Sequence, residues 1–113
     1  MSRVYFTDRD LGKGFPKTLA AAGLDVVSHH ELFLPSGSDE EWLAYVGSRR
    51  YVAITHDRRI RHKPNELNAV IVNRVALLLI MGKAPLPDLA ENFVRTIGRI
   101  EHFLGAHEPP FIA

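Results

Sequence analysis

Four short apolar runs, each followed by a stretch with helical patterning, restrict the folds open to this chain. They are "RVYFT" (Arg3 to Thr7), "LDVVS" (Leu24 to Ser28), "YVAIT" (Tyr51 to Thr55) and "VALLLIM" (Val75 to Met81). These runs read as β-strands, and the continuously apolar ones need cover on both faces. Strands of this kind alternating with helices are the pattern of a parallel sheet held between two helical layers. The expected fold is therefore α/β, a parallel four- to five-stranded sheet flanked by helices, in a single domain over residues 1–113.

The intervening segments carry their own start and stop signals. "LGKGFPKTLAAAG" reads as a loop into a helix, with Pro16 tolerated in the first turn and Gly23 as the stop. A loop of roughly ten residues follows the second strand. "SDEEWLAYVGSRR" then opens a helix with Ser38 as N-cap and Glu41 as its capping-box partner. Asp39 and Glu40 suit the positive end of that helix. "PNELNAVIVNR" begins near Pro64 and sets Leu67, Val70 and Ile71 on one face. Leu86 to Leu104 is expected as one long helix, with Leu89, Phe93, Ile97, Ile100 and Leu104 at helical spacing. The tail "PPFIA" adds an edge strand.

At 113 residues, 46% hydrophobic and 24% charged, the chain can bury a core without staples. It has no cysteine, which excludes a disulfide framework and a thiolate zinc site. The longest apolar run is far too short to cross a bilayer, and "MSRVYFTDRD" is not a basic leader followed by an apolar core. A soluble cytoplasmic protein with no membrane partner is the expectation. Net charge is only +1, so bulk charge does not hold a polyanion. The cations are clustered, however: Arg49, Arg50, Arg58, Arg59, Arg61 and Lys63 fall close together. Such a cluster is either a solvated face or a footprint for phosphates.

The acids are placed by chain order. In an open parallel sheet, ligands bind beyond the carboxyl ends of the strands. Asp8 follows the first strand directly, and Asp57 follows the third with one residue between. A helix that leads into a parallel strand starts at the same edge, which brings in Asp39 and Glu40. Carboxylates crowded at one mouth raise one another's pKa unless a cation compensates, and a hard divalent ion with oxygen ligands is the usual compensator. Each acid also has a structural reading. Asp39 and Glu40 are expected at a helix start for dipole reasons alone, Asp10 reads as a loop residue, and Glu66 suits the first turn of its own helix while also being a candidate additional acid.

Other chemistries find less support. His29 and His30 lie near the same edge, but no histidine pair has helical metal-ligand spacing. There is no nucleophile elbow, and "LGKGF" lacks the pattern of a phosphate-binding loop. Trp42 shares a helix face with Tyr45 and Val46 and reads as core.

"VYFTDRDLGKGFPKTLAAAGLDVVSH" and "SDEEWLAYVGSRRYVAITHDRRIRHKPNE", with the apolar strand after them, resemble the PIN-like nuclease domains, in particular the compact branch grouped with VapC-type toxins. The resemblance covers roughly the first 80 residues. It rests on a strand-ending Asp, a "DEEW" helix start and a "T-x-D-x-R-I-R" turn. It implies a ribonuclease dependent on Mg²⁺ or Mn²⁺, with Asp8, Asp39 and Asp57 as catalytic and metal-binding acids and Glu40 beside them. It also implies a protein antitoxin and a homodimer. Arg9, Arg58, Arg61 and Lys63 would hold RNA phosphates, a role that rests on charge and placement. Where such nucleases commonly show a fourth acid, this chain has Arg58 and Arg59, which leaves a second metal without an evident ligand unless Glu66 or Asp10 supplies it.

The leading expectation is a metal-dependent endoribonuclease, the toxin of a toxin–antitoxin module. A receiver-like phosphoacceptor domain is the first alternative, with Asp8 and Asp10 as an acid pair, Asp57 as acceptor and Lys83 as a superficial match. A catalytically inactive PIN-like binding module is the second.

Overall fold

A computed structural model of the chain describes residues 3–113. Its strands β1 (Val4–Thr7), β2 (Asp25–Ser28), β3 (Val52–Thr55), β4 (Ala76–Leu79) and β5 (Phe111–Ile112) form one all-parallel sheet in the order β2-β1-β3-β4-β5. The helices are α1 (Gly14–Ala21), α2 (His29–Leu32), α3 (Asp39–Arg49), α4 (Pro64–Val72), α5 (Leu86–Arg95) and α6 (Ile97–Ala106). Two short 3₁₀ turns, Arg9–Leu11 and Arg58–His62, follow β1 and β3. The α/β class and the parallel sheet are as expected, and the tail does supply the edge strand, pairing Phe111 with Ala76 and Ile112 with Leu77.

Alternation along the strands divides the core into two layers. Tyr5, Val52, Ile54 and Leu78 face Phe15 and Leu19 of α1 and Leu89, Ala90 and Phe93 of α5. Phe6, Ala53 and Leu77 face Trp42, Leu43 and Val46 of α3 and Ala69 and Val70 of α4. Trp42 is fully buried and stacks on Phe6 with ring centroids 5.3 Å apart, so it is a core side chain, as its helix face indicates.

Four local expectations need correction. The stripe on α4 is rotated: Val70 is buried with Ala69, whereas Leu67 and Ile71 are exposed. α3 also docks closely on the end of α4 at Gly47, where a Cβ would collide with the Asn73 carbonyl and come within 2.8 Å of the Asn73 Cβ. The final helix is two helices. At the break, Thr96 has φ −100° and ψ 13°, and its hydroxyl donates to the carbonyls of Asn92 (2.9 Å) and Phe93 (3.3 Å), diverting the ladder. Ser38 makes no side-chain cap to α3. The reciprocal bond forms instead in the segment read as loop, where Glu31 accepts the Ser28 N–H at 3.3 Å at the start of α2, a turn that buries His29.

Among the described residues no helix is long and apolar enough to cross a membrane.

Candidate active site

The sheet order decides where a ligand can enter. The chain leaves β1 outward to β2, then returns past β1 to β3 on its other side. The segments leaving the carboxyl ends of β1 and β3 therefore diverge, and a crevice opens between them. Asp8 stands at the end of β1 and Asp57 just beyond the end of β3. Asp39 begins α3, which leads into β3 and so starts at this same edge.

Each of the two strand-end acids caps the turn that follows it. Asp8 Oδ1 accepts the Arg9 N–H at 2.7 Å, and Asp57 Oδ1 accepts the Arg59 N–H at 3.0 Å. The Asp57 bond, to the residue two on, is an ordinary Asx turn and explains an aspartate there without function, whereas Asp8 bonds the residue next to it. Their remaining surroundings differ sharply.

Asp8 is only 5% exposed, and its other oxygen accepts the Thr55 hydroxyl at 2.8 Å. Burial, reinforced by the neighbouring Asp10, pushes its pKa up to about 7, against the pull of the Thr55 and Arg9 hydrogen bonds. Asp10 is drawn to the same place. Its oxygens accept the His56 N–H at 3.2 and 3.3 Å, and Oδ2 lies 3.4 Å from the Thr55 hydroxyl. Burial raises the Asp10 pKa as well, with the His56 N–H partly opposing it. Two carboxylates thus share one threonine, with no cation in contact with either among the described residues.

Asp57 has the opposite balance. Its burial opposes ionisation, but hydrogen bonds from Lys63 and Arg59 outweigh that and hold its carboxyl below the usual range. Lys63 Nζ stands 2.7 Å from Asp57 Oδ2 and 3.8 Å from Asp39 Oδ2, and Arg59 Nε is 3.1 Å from Asp57 Oδ1. The other Asp39 oxygen accepts the Trp42 indole N–H at 3.0 Å, a bond that ties the helix start to the buried core.

These side chains line one polar cleft of ≈ 340 Å³, formed by Asp8, Arg9, Asp10, Asp39, Asp57, Arg59 and Lys63. A larger cleft of ≈ 560 Å³ lies at the opposite edge of the sheet, lined by residues that precede β3, β4 and β5, and Glu108 is its only acid. Polar burial and carboxylate chemistry therefore favour the smaller cleft.

Of the residues singled out from sequence, Asp8, Asp39, Asp57, Arg9 and Lys63 border this cleft. Arg58 and Arg61 are exposed on the turn after β3 and make no ion pair among the described residues, and Arg61 borders a separate, apolar cleft with Leu67, Ile71 and Phe111. Glu40 is exposed and Glu66 half-buried, and neither borders the cleft. Sequence reasoning left Arg59 and Thr55 out of the site, and of its two candidates for a fourth acid, Asp10 and Glu66, it is Asp10 that borders the cleft. The spacing "D-R-D" at a strand end was the available signal for Asp10, because a 3₁₀ turn returns the second acid beside the first. Thr55 opens the "T-x-D-x-R-I-R" turn, but that motif gave it no role of its own.

The donor set is all carboxylate oxygen, the chemistry that suits Mg²⁺ or Mn²⁺. The uncompensated Asp8 and Asp10 pair would gain most from such an ion. In the arrangement described, no group of three or more acid or histidine side chains among the described residues stands close enough to hold one metal. Asp39 and Asp57 are turned to Lys63 instead. The donor chemistry fits a hard cation, and gathering the acids requires those two to change partner.

A family model described as a PIN like domain matches residues 3–82, from β1 to just past β4. No curated protein and no solved structure matches the chain.

Proposed function

We propose that this chain, which belongs to the PIN-like domain family, is a metal-dependent endoribonuclease. The observation that carries the reading is the single cleft at the sheet's switch point in which Asp8, Asp10, Asp39 and Asp57 come together beside Arg9, Arg59 and Lys63. Acids flanked by cations suit a phosphodiester, because the acids serve the cation-assisted attack and the basic groups position the phosphates.

In this proposal Asp8, Asp39 and Asp57 hold Mg²⁺ or Mn²⁺, with Asp10 as the fourth acid. The bound ion would polarise the phosphate and make a water nucleophilic near neutral pH. Burial raises the pKa of Asp8 and Asp10 while no cation is near, and a bound ion would hold both ionised as its ligands. Arg9 on the cleft wall and Arg58 and Arg61 on the turn outside it hold the RNA backbone. The further reading, a toxin in a two-component module with a protein antitoxin over the acidic mouth and a homodimer in the cytoplasm, rests on the likeness of the three motif blocks to VapC-type toxins.

The pairing of Asp39 and Asp57 with Lys63 also favours a second reading, a PIN-like binding module that does not cut RNA. One experiment separates the two. Purified protein with Mn²⁺ is expected to cleave RNA, and Asp57→Asn to slow cleavage at least about a hundredfold with its circular dichroism unchanged. A variant as fast as the parent removes Asp57 from the site. No cleavage by the parent with any RNA offered, together with no Mn²⁺ binding that depends on Asp8, establishes the binding module.

A further inference from the structure

Lys63 joins the 3₁₀ turn after β3 to Pro64 of α4. A residue before proline is confined to extended backbone, and Lys63 has φ −100° and ψ 109°. Its Cα is thus fixed at the cleft rim, while four methylenes leave the ammonium free to move. The ammonium reaches inward, to 2.7 Å from Asp57 Oδ2 and 3.8 Å from Asp39 Oδ2. Lys63 is the only cation among the described residues that contacts two acids. Its side chain is 31% exposed, so an outward path to solvent exists.

We propose that Lys63 is a resident counter-cation of the acidic cleft, a latch that must leave Asp39 and Asp57 before those acids can join Asp8 around a divalent ion. This rests on the reading of the cleft as a metal-dependent nuclease site. An ammonium donates to carboxylates at about 2.8 Å and on separate sides, whereas Mg²⁺ draws its oxygens to about 2.1 Å. Lys63 can therefore neutralise Asp57 and Asp39 without gathering them, which is the arrangement described. Both acids keep a second tether when Lys63 leaves, Asp57 to Arg59 and Asp39 to Trp42, so they stay at the cleft. The displaced ammonium would stand at the rim, where an RNA phosphate is its natural partner. Substrate and metal then help each other: a phosphate that draws Lys63 outward leaves the acids free for the cation, and the coupling is reciprocal.

The test is Mn²⁺ binding followed by electron paramagnetic resonance, on the parent protein and on Lys63→Met, Lys63→Gln and Arg58→Gln. Arg58 controls for the loss of any nearby positive charge. Both Lys63 variants are expected to bind Mn²⁺ about tenfold more tightly than the parent, and Arg58→Gln less than about twofold more tightly. Binding by the Lys63 variants but not by the parent supports the latch in its strongest form. Equal affinities in parent and Lys63 variants overturn the latch and leave the metal reading standing. An Arg58→Gln gain as large as that of Lys63→Met also overturns it, since general charge then explains the effect. No Mn²⁺ binding by any of the four proteins overturns the nuclease reading and the latch with it.

Discussion

The Thr55 hydroxyl donates to Asp8 Oδ2 at 2.8 Å across the seam between β1 and β3, and the Thr55 Oγ1 itself accepts the Asp57 N–H at 3.2 Å. One strand-end side chain therefore orients two acids that belong to distant parts of the chain. Its burial, with relative exposure of 0%, means that neither bond is shared with bulk water. In the proposed site Thr55 is a positioning residue.

Thr55→Val tests that role with little change of shape. It keeps the β-branch that suits a strand and removes both the donor and the acceptor. Mn²⁺ affinity is expected to fall by roughly 10- to 100-fold, the usual effect of removing a partner of a ligand. Stability is expected to fall by about 1–2 kcal/mol in urea, because Asp8 loses its bond while buried. The pKa of Asp8 should rise further. A purely structural threonine would lose stability and leave Mn²⁺ affinity unchanged.

The raised pKa of Asp8 gives stability a definite pH dependence without divalent metal. The folded state holds its proton up to about pH 7, while the unfolded chain releases it near 3.8. Between these values the native protein binds more protons, so this contribution falls as pH rises from about 4 to about 7, and remains lost above. Asp8→Asn keeps the size of the side chain and removes the charge. In EDTA at pH 8 it is expected to be more stable than the parent, with about 4 kcal/mol as the upper bound from the shift. At pH 4 the gain should vanish. Urea melts at the two pH values check the sign, and a variant less stable than the parent at pH 8 contradicts it.

The parallel sheet was legible because four apolar runs each had to be covered on both faces, and that alone placed Asp8, Asp39 and Asp57 at one edge. What escaped was set by contacts rather than by periodicity. Leu67 and Ile71 look like a buried stripe, but α4 turns Ala69 and Val70 to the core and leaves the first pair exposed. Thr96 breaks a pattern that is helical on both sides of it. In the sequence Asp10 stands level with Glu66 as a possible fourth acid, and only the tight turn behind β1, which brings it to Thr55 and His56, decides between them. Lys63 read as one more phosphate contact, because a linear cluster of cations does not reveal which member points inward.

Arg58 and Arg61 are exposed and free of ion pairs among the described residues, unlike Arg59, which is bonded to Asp57. If they hold phosphates, their cost should appear in the salt dependence of RNA binding. Each phosphate contact to a single strand contributes about −0.7 to the slope of log K against log salt. The Arg58→Gln, Arg61→Gln double variant is expected to make that slope shallower by about 1.4. Fluorescence anisotropy with labelled RNA in EDTA, where no cleavage occurs, gives the slope. An unchanged slope would mean that these two side chains are only a solvated face.

Gly47 tests the packing that carries α3, and with it Asp39, to the cleft. An alanine is normally the better helix former by about 1 kcal/mol. Here its Cβ would strike the Asn73 carbonyl and lie 2.8 Å from the Asn73 Cβ, so the ends of α3 and α4 would have to part. The collision involves backbone and outweighs propensity, so Gly47→Ala is expected to lose about 1–3 kcal/mol. Gly98, in the first turn of α6, has nothing within 4 Å of the same position, and Gly98→Ala is expected to gain about 0.5 kcal/mol. Paired urea melts measure both. Because Asp39 rides on α3, Gly47→Ala is also expected to weaken Mn²⁺ binding, whereas Gly98→Ala is expected to leave it unchanged. Equal stabilities for the two variants would mean that α3 and α4 are not held in the close contact that positions Asp39.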